Sequence, residues 1–590
     1  MNRASSDLSD NETFDVVVIG AGGAGMSAAL FAAIEGARVL LVESTEYVGG
    51  TTAYSAGTTW IPASMHMAAV NPADSSANAE GFLDRAVGER SRAAMRRAFL
   101  DAGPKAVAHI EANSDVKYRA RPFHPDYLSE LEGSTLCGRA LEPLPFDGRK
   151  LGAAFALIRA PIPEFTVLGG MMVDRDDVAH LLKMTKSFAS FRHAAKLLAR
   201  HARDRMSAPR GTRLVMGNAL IGRLLYSLLQ RGVTLLTRTS VEALHTGAGG
   251  IEGVTLMQSG TRRRVAVTGG VILASGGFNR HASRRAAMLP GADPAWCPGA
   301  PGHTGRAQDL ALEAGARFGE GAMSHAFWAP VSVRKRADGT TAVFPHFLMD
   351  RGKPGMIVVD QNGERFLNES TSYHLFGIAM QEANRTTPSV PAYLITDTEG
   401  LRKYGLGMVR PGGKGLAPFL ADGYLTQAST LDALAGKLCI DAVRLAKSVS
   451  RMNRYARTGV DAEFHRGTTD YQRANGDASW TGPNPCLGPI ERAPFYAVRL
   501  YPGDIGAATG LVTDTHARVL DRDDQPIGGL YAVGNDMQSV MGGVYPGPGI
   551  TLGPGLAFAY LAGRHAAARV QRTASSTAHS RANDTTSPAC

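Results

Sequence analysis

The run Phe14-Asp15-Val16-Val17-Val18-Ile19 is apolar and β-branched apart from Asp15, and it predicts a buried strand. Gly20-Ala21-Gly22-Gly23-Ala24-Gly25 follows, and residues 26–35, Ala-rich and free of proline, read as a helix. Gly36 ends that helix, and residues 38–42 read as a second strand closing on Glu43. Further along, residues 75–112 and 210–230 carry helical patterns and residues 232–236 a short strand. Residues 241–244 and 251–257 alternate as a β-ribbon does. Two more apolar strands end in small residues, 270–274 before Ser275-Gly276-Gly277 and 529–533 before Gly534-Asn535-Asp536. After Gly277 Pro, Trp and Gly become frequent, which places a second domain at 287–490. The first domain then comprises 12–286 and a C-terminal return at 491–571, ending in a helix at 555–569. Residues 572–590 are rich in Ser, Thr and Ala and are expected to be a disordered tail. The fold class is α/β, a Rossmann-like domain with an inserted α+β domain that binds substrate.

The glycine loop between strand and helix has a chemical reading. Gly20 permits a tight turn, Gly22 lets backbone approach a pyrophosphate, and Gly25 lets helix pack on strand, with Gly23 and Ala24 opening the helix over the phosphates. Glu43 stands where a carboxylate holds a ribose hydroxyl, with Ser44 beside it. Gly49, Gly50, Thr51 and Thr52 form a second loop of small residues suited to a flat cofactor. Ala274, Gly276 and Gly277, and then Gly534 and Asn535, are distant segments of the same character. A ligand that touches all of them is long, which favours FAD over NAD.

Length and composition limit the alternatives. At 590 residues the chain exceeds a single core, and 44% hydrophobic with 20% charged residues is ordinary for a globular protein. No run of 18 apolar residues predicts a membrane span, and residues 1–13 lack the apolar core of an export signal. Cys137, Cys297, Cys439, Cys486 and Cys590 are scattered without a C-x-x-C, so free thiols are expected and neither a metal site nor a disulfide frame. The net charge of +10 comes without a nucleic-acid-binding motif. Residues 181–205 hold Lys183, Lys186, Arg192, Lys196, Arg200, Arg203 and Arg205 against Asp204, with Phe188, Phe191, Ala195 and Leu198 at helical spacing. Such a basic amphipathic helix is either a solvated face or a contact with an anionic membrane. The expected location is cytoplasmic, and peripheral to the inner face of the membrane only under the second of these readings.

Chemistry concentrates near the C-terminus. Val544-Tyr545-Pro546-Gly547-Pro548-Gly549-Ile550-Thr551-Leu552 is too rich in Gly and Pro for a strand and opens the last helix. The Tyr545 hydroxyl and the Gly549 amide can grip one carbonyl oxygen from two sides, while Thr551 and Leu552 face the cofactor.

These pieces together resemble the 3-ketosteroid Δ1-dehydrogenases of the fumarate reductase and succinate dehydrogenase flavoprotein superfamily. The resemblance runs over most of the chain. It includes Trp60-Ile61-Pro62, Pro145-Phe146-Asp147, Gly363-Glu364-Arg365-Phe366, Asn368-Glu369-Ser370, Pro494-Phe495-Tyr496-Ala497, Pro502-Gly503-Asp504 and Tyr545-Pro546-Gly547-Pro548-Gly549. The histidine and arginine that resemblance to fumarate reductases would require are missing from residues 504–510 and 541–545. No histidine falls between Glu43 and Pro62, so a non-covalent FAD is expected. The resemblance implies a hydrophobic 3-ketosteroid substrate, with Tyr545 and Gly549 on its C3 carbonyl. It further implies Tyr373 as the base for the C2 proton, flavin N5 as acceptor of the C1 hydride, and a second tyrosine, Tyr127 or, as the alternative, Tyr118. A quinone is a candidate electron acceptor. Gly542-Gly543-Val544 and a long segment at 331–353 depart from the family pattern. A Δ4-dehydrogenase or an enzyme of another cyclic ketone therefore stays open.

Overall fold

The computed structural model describes residues 8–320, 322–347 and 350–584, with side chains to residue 570. The strand β1 (Glu12–Ile19), the helix α1 (Gly23–Ile34) and the strand β2 (Val39–Val42) form the predicted βαβ opening. All of Val16, Val17 and Val18 are fully buried, as a strand covered on both faces requires. β1 lies between β2 and the strand Thr261–Leu273, parallel to both, and Thr234–Leu236 extends the sheet beyond β2. On the other side the ribbon Ser240–Gly247 and Gly250–Gln258 adds antiparallel strands. Pro526–Ala532 returns alongside the end of Thr261–Leu273 in parallel, so three strand ends meet at the start of α1.

A second sheet is built around Phe495–Ala507. That strand's second half pairs antiparallel with Ala326–Lys335, and its first half lies between Ala392–Asp397 and Thr426–Ala428, antiparallel to both. Thr341–Pro345 and Met356–Val359 complete its edges. The inserted sheet thus takes its central strand from beyond residue 490, and the chain rejoins the first sheet only after Ala507. The helix Tyr373–Ala383 packs so closely on Ala326–Lys335 that a Cβ at Gly377 would lie 2.5 Å from the Trp328 Cβ.

The turn before that helix rests on a buried ionic network. Arg365 bonds Glu369 and Asp461, each at 2.8 Å, and Arg466 reaches Glu369 at 3.2 Å, all four side chains being fully buried. Arg466 also donates to the Ser370 hydroxyl and the Met356 carbonyl, so each charge keeps hydrogen-bond partners in place of water. Glu369 belongs to the Asn-Glu-Ser segment, and its carboxylate serves the structure by fixing the chain three residues before the Ser372 N-cap and four before Tyr373.

Two local expectations change. The basic stretch at 181–205 is two helices, Arg175–Leu182 and Phe188–Asp204, divided at residues 183–187. The C-terminal helix Leu552–Asp584 extends past residue 572, where a disordered tail was expected, and residues 585–590 lie outside the described residues. Cys137, Cys297, Cys439 and Cys486 are free, and Cys590 also lies outside the described residues. Among the described residues no helix is long and apolar enough to cross a membrane.

Candidate active site

The start of α1 is a cradle with one open wall. A Cβ at Gly25 would sit 1.9 Å from the Gly20 carbonyl oxygen, and one at Gly20 would sit 2.3 Å from that of Ala274. A Cβ at Gly22 would meet no atom within 4 Å. Two glycines are therefore demanded by packing, and the third faces the space a pyrophosphate would fill. Gly49 N–H donates to the Ala21 carbonyl at 2.7 Å, and Thr52 Oγ1 accepts from Gly23 N–H at 3.2 Å, which binds the second small-residue loop to the first. Glu43 Oε2 accepts from Ala21 N–H at 3.0 Å, and its Oε1 accepts from the Thr45 backbone and hydroxyl, so the carboxylate is held rigidly at the strand end. A Cβ at Gly302 would lie 3.6 Å from the Ser44 hydroxyl, so residues near 302 pass over Glu43 and Ser44. Gly534 packs on Ala24, Asn535 on Gly277, and Leu552 on Gly23, which brings all the distant cofactor segments to this point. These residues fit FAD.

Two residues of this cradle carry no local sequence signal. Asp536, fully buried, accepts from Gly277 N–H at 2.9 Å and from Ser275, and it shapes the turn at the end of Thr261–Leu273. His303 reaches Thr51 Oγ1 at 3.2 Å and covers Gly276. It lies far outside the stretch between Glu43 and Pro62, and the tertiary fold alone brings it there. Burial pushes His303 down to about 4, so the ring is neutral.

Beyond the cradle, three segments converge on an aromatic cluster. Tyr127 comes from the loop between the strands Tyr118–Ala120 and Ala140–Pro143, and its N–H donates to the Pro546 carbonyl at 2.8 Å. The adjacent Asp126, buried, accepts from Trp60 Nε1 at 2.8 Å and Arg139 Nη1 at 2.9 Å and so fixes that loop. Tyr373 opens its helix, and Tyr545 hangs from the loop before the last helix. The Tyr127 hydroxyl donates to that of Tyr373 at 3.3 Å. The ring of Tyr545 stacks on Tyr127 with centroids 5.6 Å apart and meets Tyr373 edge-on at 5.1 Å. Phe327 and Phe347 close the cluster from the second sheet. Tyr118 has no ring contact with this group, and its N–H is bound to Glu111. A fourth tyrosine, Tyr471, packs 4.8 Å from Tyr127, and sequence motifs did not single it out.

Gly549 completes the arrangement. Its φ of +89° and the 2.3 Å from a Cβ to the Thr58 carbonyl oxygen exclude any side chain. Its carbonyl accepts from Trp60 N–H at 3.2 Å, while its own N–H donates to no group among the described residues. The free amide is an unfilled donor four residues beyond the buried Tyr545, whose hydroxyl bonds Tyr373 and Thr551. Burial lifts the hydroxyls of Tyr373 and Tyr127 well above the ordinary phenol range, and the neighbouring tyrosines add to the rise. The hydrogen bond with Tyr127 adds to the rise at Tyr373.

Fold and cradle define an FAD-dependent oxidoreductase. The chain belongs to the family described as FAD binding domain, whose pattern matches residues 15–552, and within it to the 3-ketosteroid Δ1-dehydrogenase family. It is 36% identical over 556 residues to the 4-oxocyclohex-2-ene-1-carboxylate 5-dehydrogenase of Sinomonas cyclohexanicum, covering 94% of this chain and 93% of that one. It is 34% identical over 564 residues to the 3-oxosteroid 1-dehydrogenase of Mycolicibacterium smegmatis, covering 93% and 96%. Among solved structures it superimposes with a TM-score of 0.88 and 35% identity on the 3-ketosteroid Δ1-dehydrogenase of Sterolibacterium denitrificans in complex with 1,4-androstadiene-3,17-dione, covering 94% and 100%.

Acid precipitation of the purified protein is expected to leave the yellow colour in the supernatant, since FAD is non-covalent. Gly22→Val fills the open wall and is expected to yield folded protein with no flavin band; a yellow variant would mean that the phosphates lie elsewhere.

Proposed function

We propose that the protein introduces the C1–C2 double bond into ring A of 3-ketosteroids. The observation that carries this reading is the free Gly549 amide beside the Tyr545, Tyr373 and Tyr127 cluster. Tyr545 and Gly549 donate to the C3 ketone oxygen, which gathers charge as the adjacent C–H bond breaks. Donors in a buried site are effective because water does not compete for the oxygen. Tyr373, once ionised, takes the C2 proton and becomes the neutral phenol, in contact with the Tyr127 hydroxyl. Bound FAD supplies the acceptor for the hydride from C1.

The similarity to the Sinomonas enzyme supports a second reading, a monocyclic oxo-carboxylate dehydrogenated by the same residues. Anaerobic mixing with androst-4-ene-3,17-dione and, separately, with 4-oxocyclohex-2-ene-1-carboxylate separates the two. Rapid bleaching of the flavin band by the steroid alone is expected; bleaching by the keto acid alone would overturn the steroid assignment.

A hydrophobic substrate suits a membrane surface, and the basic helix Phe188–Asp204 with the lysines of the link before it supplies a contact. Ser190, Ala194, Leu197 and His201 face the core, whereas Phe188 and Phe191 are 78% and 53% exposed. Leu168, Leu182 and Met206 are exposed in the same excursion, among Lys183, Lys186, Arg192, Lys196 and Arg203. This face docks on an anionic bilayer, where each basic residue contributes about 1 kcal/mol. A lipid-soluble quinone is the electron acceptor such a position favours.

Tyr545→Phe is expected to lower kcat by roughly 10²- to 10³-fold with the fold intact, as loss of one oxyanion donor does. Unchanged turnover would remove Tyr545 from the ketone. Tyr373→Phe is expected to abolish exchange of the steroid C2 hydrogen with deuterated solvent while leaving steroid affinity nearly unchanged. Because burial raises the Tyr373 hydroxyl, wild-type activity should climb with pH without a plateau below about 10. Binding to anionic vesicles should weaken steeply as salt screens charge over about 8 Å. Protein that ignores such vesicles at low salt would make the basic helix a solvated face.

A further inference from the structure

The loop that carries Tyr545 is stiffened after that residue by Pro546 and Pro548 and is weakly fixed by its own sequence only before it. Gly542 and Gly543 are both left-handed, with φ of +55° and +74°, and a glycine pair restricts the chain less than other residues do. One side of the loop is tightly packed: a Cβ at Gly543 would come within 2.3 Å of the Ser324 carbonyl oxygen, and the Gly542 carbonyl accepts from Met323 N–H at 3.0 Å. Arg90 packs as closely on Gly542, but beside Val544 and Tyr545 a cleft of about 270 Å³, lined also by Leu128 and Leu375, leaves that part of the loop room to shift.

His374 also lines that cleft, and it spans from helix to loop. It is the residue after Tyr373 and is 1% exposed. Nε2 lies 2.9 Å from the Gly543 carbonyl oxygen, and Nδ1 lies 3.2 Å from the Trp328 backbone nitrogen. A carbonyl only accepts and a backbone N–H only donates, which fixes the neutral tautomer with its proton on Nε2. Burial holds the ring down to about 4, so this tautomer persists throughout the neutral range. The ring also meets Tyr545 with centroids 6.0 Å apart and Phe327 at 5.8 Å. One side chain thus ties together the helix of Tyr373, the strand of Trp328 and the loop of Tyr545.

We propose that His374 is a positioning residue for the dehydrogenation: through its bond to the Gly543 carbonyl it holds Tyr545 at a fixed place relative to Tyr373, so that ketone donor and base act on the same substrate atoms. The inference rests on the reading of Tyr545 as the ketone donor. Without the bond the fold persists, but the Tyr545 hydroxyl samples positions in which it no longer meets the oxygen. The cost then falls on kcat and not on KM, because ring burial of the substrate does not depend on that hydroxyl.

The test uses the holoenzyme and three substitutions, each made in the wild type and in Tyr545→Phe. His374→Gln places an N–H near the position of Nε2, His374→Asn reaches only as far as Nδ1, and His374→Leu removes both partners. Asn and Leu are expected to lower kcat and the rate of C2 hydrogen exchange together by about 10- to 100-fold, and Gln to recover most of that loss. In the Tyr545→Phe background none of the three should cost more, since residues acting as one unit are not additive. Losses that multiply with Tyr545→Phe, or equal losses for Gln and Asn, would overturn the inference. If the Leu variant does not fold, the Gln and Asn pair decides. Full activity of Tyr545→Phe would refute the donor reading itself, whereas a slow Tyr545→Phe with additive His374 losses would refute only the role of His374.

Discussion

The 3.3 Å contact between the hydroxyls of Tyr127 and Tyr373 joins the loop between Tyr118–Ala120 and Ala140–Pro143 to the helix Tyr373–Ala383 of the inserted region. Tyr127 belongs to the cofactor-binding half and Tyr373 to the inserted domain, so the contact exists only if both halves are placed correctly. Each tyrosine is anchored from behind by a buried charge. Asp126, bonded to Arg139 and Trp60, fixes the loop of Tyr127, and Glu369, between Arg365 and Arg466, fixes the turn before Tyr373. Breaking one such pair leaves a buried ion without its partner, at a cost of about 3–5 kcal/mol, which is why both anchors are rigid.

The same burial has two opposite effects on the chemistry. It disfavours an anion on Tyr373, whose hydroxyl lies well above the ordinary phenol range. It also strengthens donors aimed at a developing negative oxygen, since the local dielectric is low. If Tyr545 and Gly549 hold a ketone oxygen as proposed, such a site makes proton removal unfavourable at rest and favourable once that oxygen accepts from them.

The cradle follows a similar division between a rigid frame and an open wall. Gly20 and Gly25 are filled up to contact by Ala274 and by each other, and Gly22 alone is open. Asp536 and His303 reach the same place from segments that the sheet order brings together, Asp536 from beside Pro526–Ala532 and His303 from the start of the inserted region. Asp536 shapes a turn and His303 covers a glycine, so that the cofactor meets a preformed surface.

The sequence by itself determined the local elements and the glycine loop. Alternation of apolar residues, a proline-free helix and glycines at fixed spacing are properties of neighbours along the chain, and burial of β1 and the turn at Gly20 follow from them. Tyr545, Gly549 and Tyr373 were legible because they lie inside motifs. The tertiary structure alone placed Phe495–Ala507 at the centre of the inserted sheet, chose Tyr127 over Tyr118 as the neighbour of Tyr373, and brought in Tyr471, His303, Asp536 and His374. None of these carries a periodic or composition signal, since a single residue's partner across hundreds of positions depends on sheet order and on how the halves pack. Local sequence fixes which way a side chain points from its own strand or helix; only the closed fold fixes what stands opposite it.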